Sequence, residues 1–348
     1  MYNAEKYIGD CLDSIFAQTL QDYEVIIVDD CSTDNSRAIV ESYLPKFNAV
    51  GGGGKLRLIR LNKNSGNPAA PTNKGIELSR GEYLLLMDND DLLKNTALEE
   101  LYSLAKHFNA DVVHCERYFQ FNDGEKILTL AGYQRGELIK EPTFLTNNLL
   151  DRINELCSVR FLWNLWSKLI RRDFLIEKNI KLVDVMAQDV LFTWYIVLTA
   201  PRYLRVPNII NFYRMRNDSL FHKQEPPEKI IHMRVYAALA GFKHFKKFLN
   251  DIEFFKNRPD VKSVALESWT SLCCSFLMPL YKQIPAYQIY ELIGKELEQF
   301  ENSTDFTAFL FSRMNVLNVQ ISHQGNIIQQ MNAYIQQQQE QIKKLQGL

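Results

Sequence analysis

The stretch Leu84-Leu85-Leu86-Met87-Asp88-Asn89-Asp90-Asp91 runs from four apolar residues straight into three carboxylates. Unpaired carboxylates are too costly to bury along a strand. The acids therefore belong at the strand's end, and an open α/β sheet takes its ligands at that edge. Two acids one residue apart can seat a hard divalent cation and the phosphate oxygens it bridges. The alternative is an acidic turn capping a helix that opens at Leu92-Leu93. Two other apolar segments also border acids. Asp29-Asp30 closes the β-branched run Glu24–Val28, and Gln188-Asp189 heads the apolar stretch Val190–Leu198.

Regular elements must hold these acids in place. Ile8, Leu12, Ile15 and Phe16 share one helical face within residues 8–19. Glu24–Val28 predicts a strand, followed by the turn Cys31-Ser32-Thr33-Asp34-Asn35-Ser36 and a helix through Ile39, Val40 and Tyr43 that Pro45 should stop. Leu56–Leu61 predicts a third short strand, after the linker-like Gly51–Gly54. The loop Asn64-Ser65-Gly66-Asn67-Pro68-Ala69-Ala70-Pro71 leads into a helix through Ile76 and Leu78. It either presents backbone N–H groups and Lys74 to an anion or serves as a rigid connection. Tyr83–Met87 is the strand before the acids. This alternation implies a mostly parallel sheet covered by helices.

Beyond the acids, Thr96–Phe108 predicts a helix, Asp111–Cys115 a strand and Phe144–Leu150 a further helix. Tyr203–Val206 and Ile209–Tyr213 read as two short strands, and Pro226-Pro227 marks a boundary. Residues 226–312 have a helical pattern. In the last stretch, Leu317, Ile321, Gln324, Ile328, Met331, Ile335, Gln338, Ile342 and Leu345 follow spacings of four and three, and seven of the nine are apolar. That seam is what a coiled coil needs and predicts a homo-oligomer through residues 313–348. An amphipathic helix folded back on the body is the alternative.

Composition narrows the class. A chain of 348 residues with 46% hydrophobic residues and a net charge of −1 is globular and has no basic field for nucleic acid. Its six cysteines lack metal spacing, no apolar run is long enough to span a bilayer, and the opening residues are polar. These features predict a cytoplasmic protein. Lys243, Lys246, Lys247 and Lys256 offer a peripheral contact with an anionic membrane at its inner face, or simply a solvated helix face.

Tyr2-Asn3-Ala4-Glu5-Lys6-Tyr7-Ile8, Val28-Asp29-Asp30-Cys31-Ser32-Thr33-Asp34 and Met87-Asp88-Asn89-Asp90-Asp91 together resemble glycosyltransferase family 2. Trp166-Ser167-Lys168-Leu169, Gln188-Asp189-Val190-Leu191-Phe192, and Tyr213-Arg214 with Ser219 and His222 match it in order. The resemblance implies an α/β fold of the GT-A kind, a nucleotide-sugar-binding sheet covered by helices over residues 1–225. The donor half would be about 1–110 and the acceptor half about 111–225, followed by the helical C-terminal region. It implies inverting transfer from a nucleotide diphosphate sugar, a UDP-sugar, to a hydroxyl of a bacterial surface glycan or polyol-phosphate. It assigns the general base to Asp189. Donor contacts would come from Tyr2, Asn3, Asp30, Asn73, Lys74, Asp88 and Asn89. Mn²⁺ or Mg²⁺ would be held by Asp90, Asp88 and His222, and acceptor contacts would come from Trp166, Lys168, Gln188 and Arg214. Trp163, Arg171 and Arg216 extend that aromatic and basic set, which reads equally as core rings with a solvated basic rim.

The sequence departs from the family in three places. The family opens with an apolar strand ending in Pro-Val before Tyr-Asn, whereas Met1 directly precedes Tyr2 here. Thr72 stands where the family has arginine, so Lys74 would have to hold the nucleotide. Gln188 replaces a frequent glutamate, which removes a like charge beside Asp189 and should lower its pKa. A catalytically impaired scaffold or glycan-binding subunit is the alternative function. A signalling receiver module, suggested by Val28-Asp29-Asp30 alone, fits poorly with the second acid cluster.

Overall fold

The computed structural model describes residues 1–49, 55–124, 128–132, 139–158, 161–185, 187–216 and 226–275. The heptad seam, His222 and Gly51–Gly54 lie outside these residues. The chain divides into two units, Met1–Pro226 and Pro227–Leu348.

The first unit begins with α1 (Ile8–Phe16), β1 (Glu24–Asp29), α2 (Ser36–Ala49), β2 (Lys55–Arg60), α3 (Ala69–Leu78) and β3 (Tyr83–Leu85). β4 (Leu92–Leu93), α4 (Ala97–His107), β5 (Val112–Asn122), β6 (Thr129–Gly132), β7 (Thr143–Phe144) and α5 (Leu149–Cys157) follow. A 3₁₀ turn (Leu165–Ser167) then leads to β8 (Lys168–Arg171), α6 (Arg172–Glu177), α7 (Gln188–Thr199) and β9 (Tyr203–Met215).

β1 and β2 form a parallel pair. The Met1 ammonium donates to Val28 O at 2.8 Å and Asp30 N donates to Met1 O at 2.8 Å, one parallel rung beside β1. The larger sheet has the order β3-β8-β5-β9-β4, with β6 on β5 and β7 on β9. Only β5 and β9 run parallel in it; its other described pairs are antiparallel. The expected mostly parallel sheet is therefore a mixed one. β3 is three residues long and pairs with β8, whose direction opposes it.

Packing explains the other departures. α2 continues through Pro45 to Ala49 because Phe47 is buried and meets Phe16 edge-on at 5.3 Å. This burial offsets the hydrogen bond that proline cannot make. The helix expected over Phe144–Leu150 starts later, where the Asn148 side chain accepts from Leu150 N at 2.9 Å as an N-cap. The two strands expected around Pro207 are one, β9; the β5–β9 register shifts beside Pro207-Asn208, and this irregularity accommodates the proline. Leu93, Leu101, Val113, Leu204 and Ile210 form the core between α4 and the larger sheet. Ile8, Leu12, Val40, Phe47 and Leu56 form the core under α1 and α2.

In the second unit, α8 (Pro227–Asp251), α9 (Glu253–Asn257) and α10 (Pro259–Ser275) are described. Trp269 of α10 is buried against α8, and its indole N–H donates to Ala238 O at 3.2 Å. A Cβ at Gly241 would overlap Trp269 Cζ2. Gly241→Ala should therefore destabilise this helix pair by about 1–3 kcal/mol through overpacking. Faster amide exchange in α8 and α10 is the expected readout.

Candidate active site

Each strand that carries an acid ends where its apolar face runs out. β1 delivers Asp29 and Asp30, and the chain beyond β3 delivers Asp88, Asp90 and Asp91. Asp29 and Asp30 are buried. Asp29 Oδ1 accepts from Ser32 N at 3.0 Å, which shapes the turn into α2. Asp30 takes both the Ser65 N–H at 2.9 Å and the Ser65 hydroxyl at 2.8 Å, while its own carbonyl takes Asn64 Nδ2 at 2.8 Å. Each carboxylate oxygen has a second lone pair left for a further donor.

The loop expected to cradle an anion is satisfied internally. Its Ser65 N–H goes to Asp30, Gly66 N–H to Asn64 Oδ1, and Ala69 N–H to Asn67 Oδ1. Lys74 pairs with Glu77 at 2.8 Å. Asn73 sits in α3 and exchanges both amide bonds with Leu182, Nδ2 donating to its carbonyl at 2.8 Å and Oδ1 accepting from its N–H at 2.9 Å. It thus anchors the segment that leads to Asp189. Asn3, at φ 46°, accepts from Thr33 N at 2.8 Å and fastens the first loop to the turn after β1. Tyr2 is exposed.

The acids after β3 divide by role. Asp91 is wholly buried; it accepts Arg214 N at 2.9 Å and Asn211 Nδ2 at 3.2 Å, and burial together with Asp88 raises its pKa to about 8. It is an anchor for β9. Asp90 is paired with Arg216, Nε to Oδ2 at 2.7 Å. Asp88 remains open to water yet is surrounded by protein. That desolvation, followed by the charges of Asp90 and Asp189, pushes its pKa up to about 7 against the pull of Arg216. Asn89 lies half-buried between the two acids. Residues a hundred positions apart along the chain, Asp88, Asp90 and Asp189, thus meet in one field.

Asp189 lies in the first turn of α7, after Ala187 in the left-handed region at φ 60°. α7 is apolar all round, so its first turn is pulled into the core with it. Burial holds Asp189 above the ordinary carboxylate range, opposed by the Val190 N–H and by Lys168. The lowering expected from Gln188 is overridden because desolvation is the larger effect. Gln188 Oε1 is buried without a hydrogen-bond partner among the described residues.

Three residues expected at the acceptor are committed elsewhere. Trp166 is buried, stacked on Tyr213 with centroids 5.9 Å apart and edge-on to Tyr118 at 4.9 Å, so its ring is core. Lys168 is completely buried. Arg214 donates to Asp90 O at 2.9 Å, Asp123 Oδ1 at 3.1 Å and Asp10 Oδ2 at 2.9 Å. It is a strut from β9 to α1 and to the acid loop, with little guanidinium left for a ligand. Arg171 likewise holds Asp111, at 3.1 Å. Sequence reasoning missed Ser65, Asn64 and Asp123. The Asx and Ser residues flanking Gly66 were the available signal for the first two.

Among the described residues, no group of three or more His, Cys, Asp or Glu side chains converges as a complete cation cage. Asp88 and Asp90 nevertheless fit a hard divalent ion. They would supply two carboxylate donors, with Arg216 already on Asp90 Oδ2 at 2.7 Å, and Mg²⁺-type sites draw their remaining ligands from phosphates and water.

The mixed sheet carries paired acids at its lip, and the half-buried Asp189 is electrostatically coupled to Asp88. The family profile described as glycosyl transferase family 2 matches residues 1–163. The chain is 31% identical over 334 residues to the cholesterol galactosyltransferase of Borreliella burgdorferi, spanning 91% of this chain and 87% of that protein. It is 29% identical over 221 residues to the poly(ribitol-phosphate) beta-N-acetylglucosaminyltransferase TarP of Staphylococcus aureus, spanning 62% of this chain and 60% of that one. The crystal structure of S. aureus TarS 1–349 in complex with UDP-GlcNAc superposes with a TM-score of 0.54 at 22% identity, covering 87% of this chain and 91% of that one. The chain belongs to glycosyltransferase family 2 and has the GT-A fold; it is a glycosyltransferase.

Proposed function

We propose that this chain transfers a sugar, with inversion, from a UDP-sugar to a hydroxyl of a glycan or polyol-phosphate. The observation that carries this reading is that Asp88 feels the charges of both Asp90 and Asp189, which come from two distant segments. Asp30 accepts a hydrogen bond from the base, and Asp88 lies by the ribose. Asp189 takes the proton of the acceptor hydroxyl as its oxygen bonds to the anomeric carbon. The bond from that carbon to the diphosphate oxygen breaks on the opposite face, and its electron pair leaves with the nucleoside diphosphate. Asp90 and Asp88 would hold Mn²⁺ or Mg²⁺, which would supply positive charge to the departing diphosphate. His222 is a further ligand in this proposal. The polyol-phosphate acceptor is favoured by TarP, whose name specifies poly(ribitol-phosphate).

A second acceptor reading rests on the match along nearly the whole length of a cholesterol galactosyltransferase. A sterol hydroxyl would bring the chain to a bilayer surface, where the exposed Lys243, Lys247 and Lys256 would meet anionic lipid. Among the described residues no helix is long and apolar enough to cross a membrane.

Thermal-shift screening of UDP-sugars with Mn²⁺ identifies the donor, because a ligand at 100 times its Kd stabilises by about 2.7 kcal/mol. Transfer from that donor to poly(ribitol-phosphate) or to cholesterol vesicles then separates the acceptors. Stabilisation without transfer or donor hydrolysis would instead mark an impaired scaffold, and no stabilisation by any nucleotide sugar would contradict the proposal.

A further inference from the structure

Lys168 opens β8 and has no exposed surface. Its Nζ lies 2.6 Å from Leu162 O, 2.7 Å from Asn164 O and 3.2 Å from Ser167 Oγ. The Ser167 hydroxyl already gives its proton to Asn164 O at 2.8 Å. It can therefore only accept from Lys168. All three contacts need an N–H from the lysine, and only an ammonium has three. Burial pulls Lys168 down to about 7, and Asp189 opposes this. Hydrogen-bond accounting thus assigns the charged form to a side chain that water cannot reach.

The bonded loop adjoins the carboxylate proposed as base. Thr193 of α7, one helical turn beyond Asp189, donates to Trp163 O at 3.2 Å. Trp166 fills the core between β5 and β9, next to Tyr118 and Tyr213. The charged and titratable groups facing Lys168 are Asp189 from α7, with His114 and Cys115 from β5. Lys168 pulls the pKa of Asp189 down, and Asp189 in turn raises that of Asp88 beyond β3. His114 is buried, has no hydrogen-bond partner among the described residues, and is held well below its ordinary pKa, so it adds no positive charge.

We propose that Lys168 is a positioning residue of the transfer reaction: its ammonium closes the 162–167 loop, which Thr193 ties to α7, and holds a fixed positive charge within reach of Asp189. This rests on Asp189 acting as the base. A carboxylate can accept a proton only while it is ionised, and burial favours its neutral form. Lys168 offsets this, and with no exposed surface it does so without touching substrate.

The test uses the full chain with its identified donor and acceptor, after wild-type turnover and its loss in Asp189→Asn have been established. In Lys168→Met, the acid limb of the turnover profile should move up by about one pH unit. Turnover at a pH below that limb should fall about tenfold, with donor affinity by calorimetry within about threefold of wild type. Thr193→Val leaves the charge in place and loosens the loop; it should reduce turnover about threefold with the acid limb unmoved. If Lys168→Met folds with an unmoved acid limb, or loses donor affinity in step with turnover, the positioning role is wrong. Should Lys168→Met fail to fold, full turnover in Thr193→Val overturns the clamp. Turnover retained by Asp189→Asn would overturn the base assignment instead, which keeps the two failures distinct.

Discussion

Asp189→Asn should lower transfer by about 10³-fold while leaving donor affinity within about threefold of wild type. The substitution keeps size, but it turns one acceptor oxygen into an NH₂ donor and removes the charge together with the ability to take a proton. Asp189 sits in the first turn of a buried helix, and desolvation raises its pKa, which strengthens it as a base. The donor contacts assigned to Asp30, Asp88 and Asp90 lie on other segments and are not disturbed. Calorimetric titration of the UDP-sugar alongside initial-rate measurement separates the two effects. Loss of donor binding together with turnover would place Asp189 among the binding residues.

Asp90→Ala should act on the opposite side of the reaction. Removing this carboxylate takes away a donor for the divalent ion and should lower turnover by about 10²- to 10³-fold, the scale for losing one stabiliser of a developing charge. Donor affinity should fall in the presence of Mn²⁺ and stay unchanged in EDTA, where the base and ribose contacts alone remain. The Mn²⁺ signal in paramagnetic resonance reports binding without reference to activity. The variant also frees Arg216 from its ion pair at Asp90. If turnover in wild type is insensitive to EDTA, and Asp90→Ala retains it, charge stabilisation does not come from a metal ion at Asp90.

The acids were legible before the structure because burial rules apply to them strictly. Asp30, Asp88 and Asp90 each follow an apolar run that cannot contain them, and Asp189 heads a helix too apolar to be anywhere but inside. Long-range pairing was not legible. Nothing local tells β3 to join β8 instead of β1, or says that one irregular ladder carries β9 past Pro207. The cations and rings were misread for a related reason. Residue type reports what a side chain can bind, whereas burial decides what it does bind. Trp166, Lys168 and Arg214 have the chemistry of ligand contacts, yet the fold uses them to hold its core, its loop and its acid turn. Lys168 carried a weak local warning: it leads into Leu169-Ile170 in a short strand, where a solvated lysine would be out of place. Asn73 carried none, because its partner Leu182 is distant in sequence.

The most direct measurement is a crystal structure of the chain with Mn²⁺ and its UDP-sugar, with the ion located by anomalous scattering. The account predicts a manganese peak between Asp90 and the diphosphate, and an anomeric carbon whose face opposite the diphosphate opens toward Asp189. A donor bound with its diphosphate away from Asp90, or with Asp189 on the leaving-group side of the sugar, would contradict it.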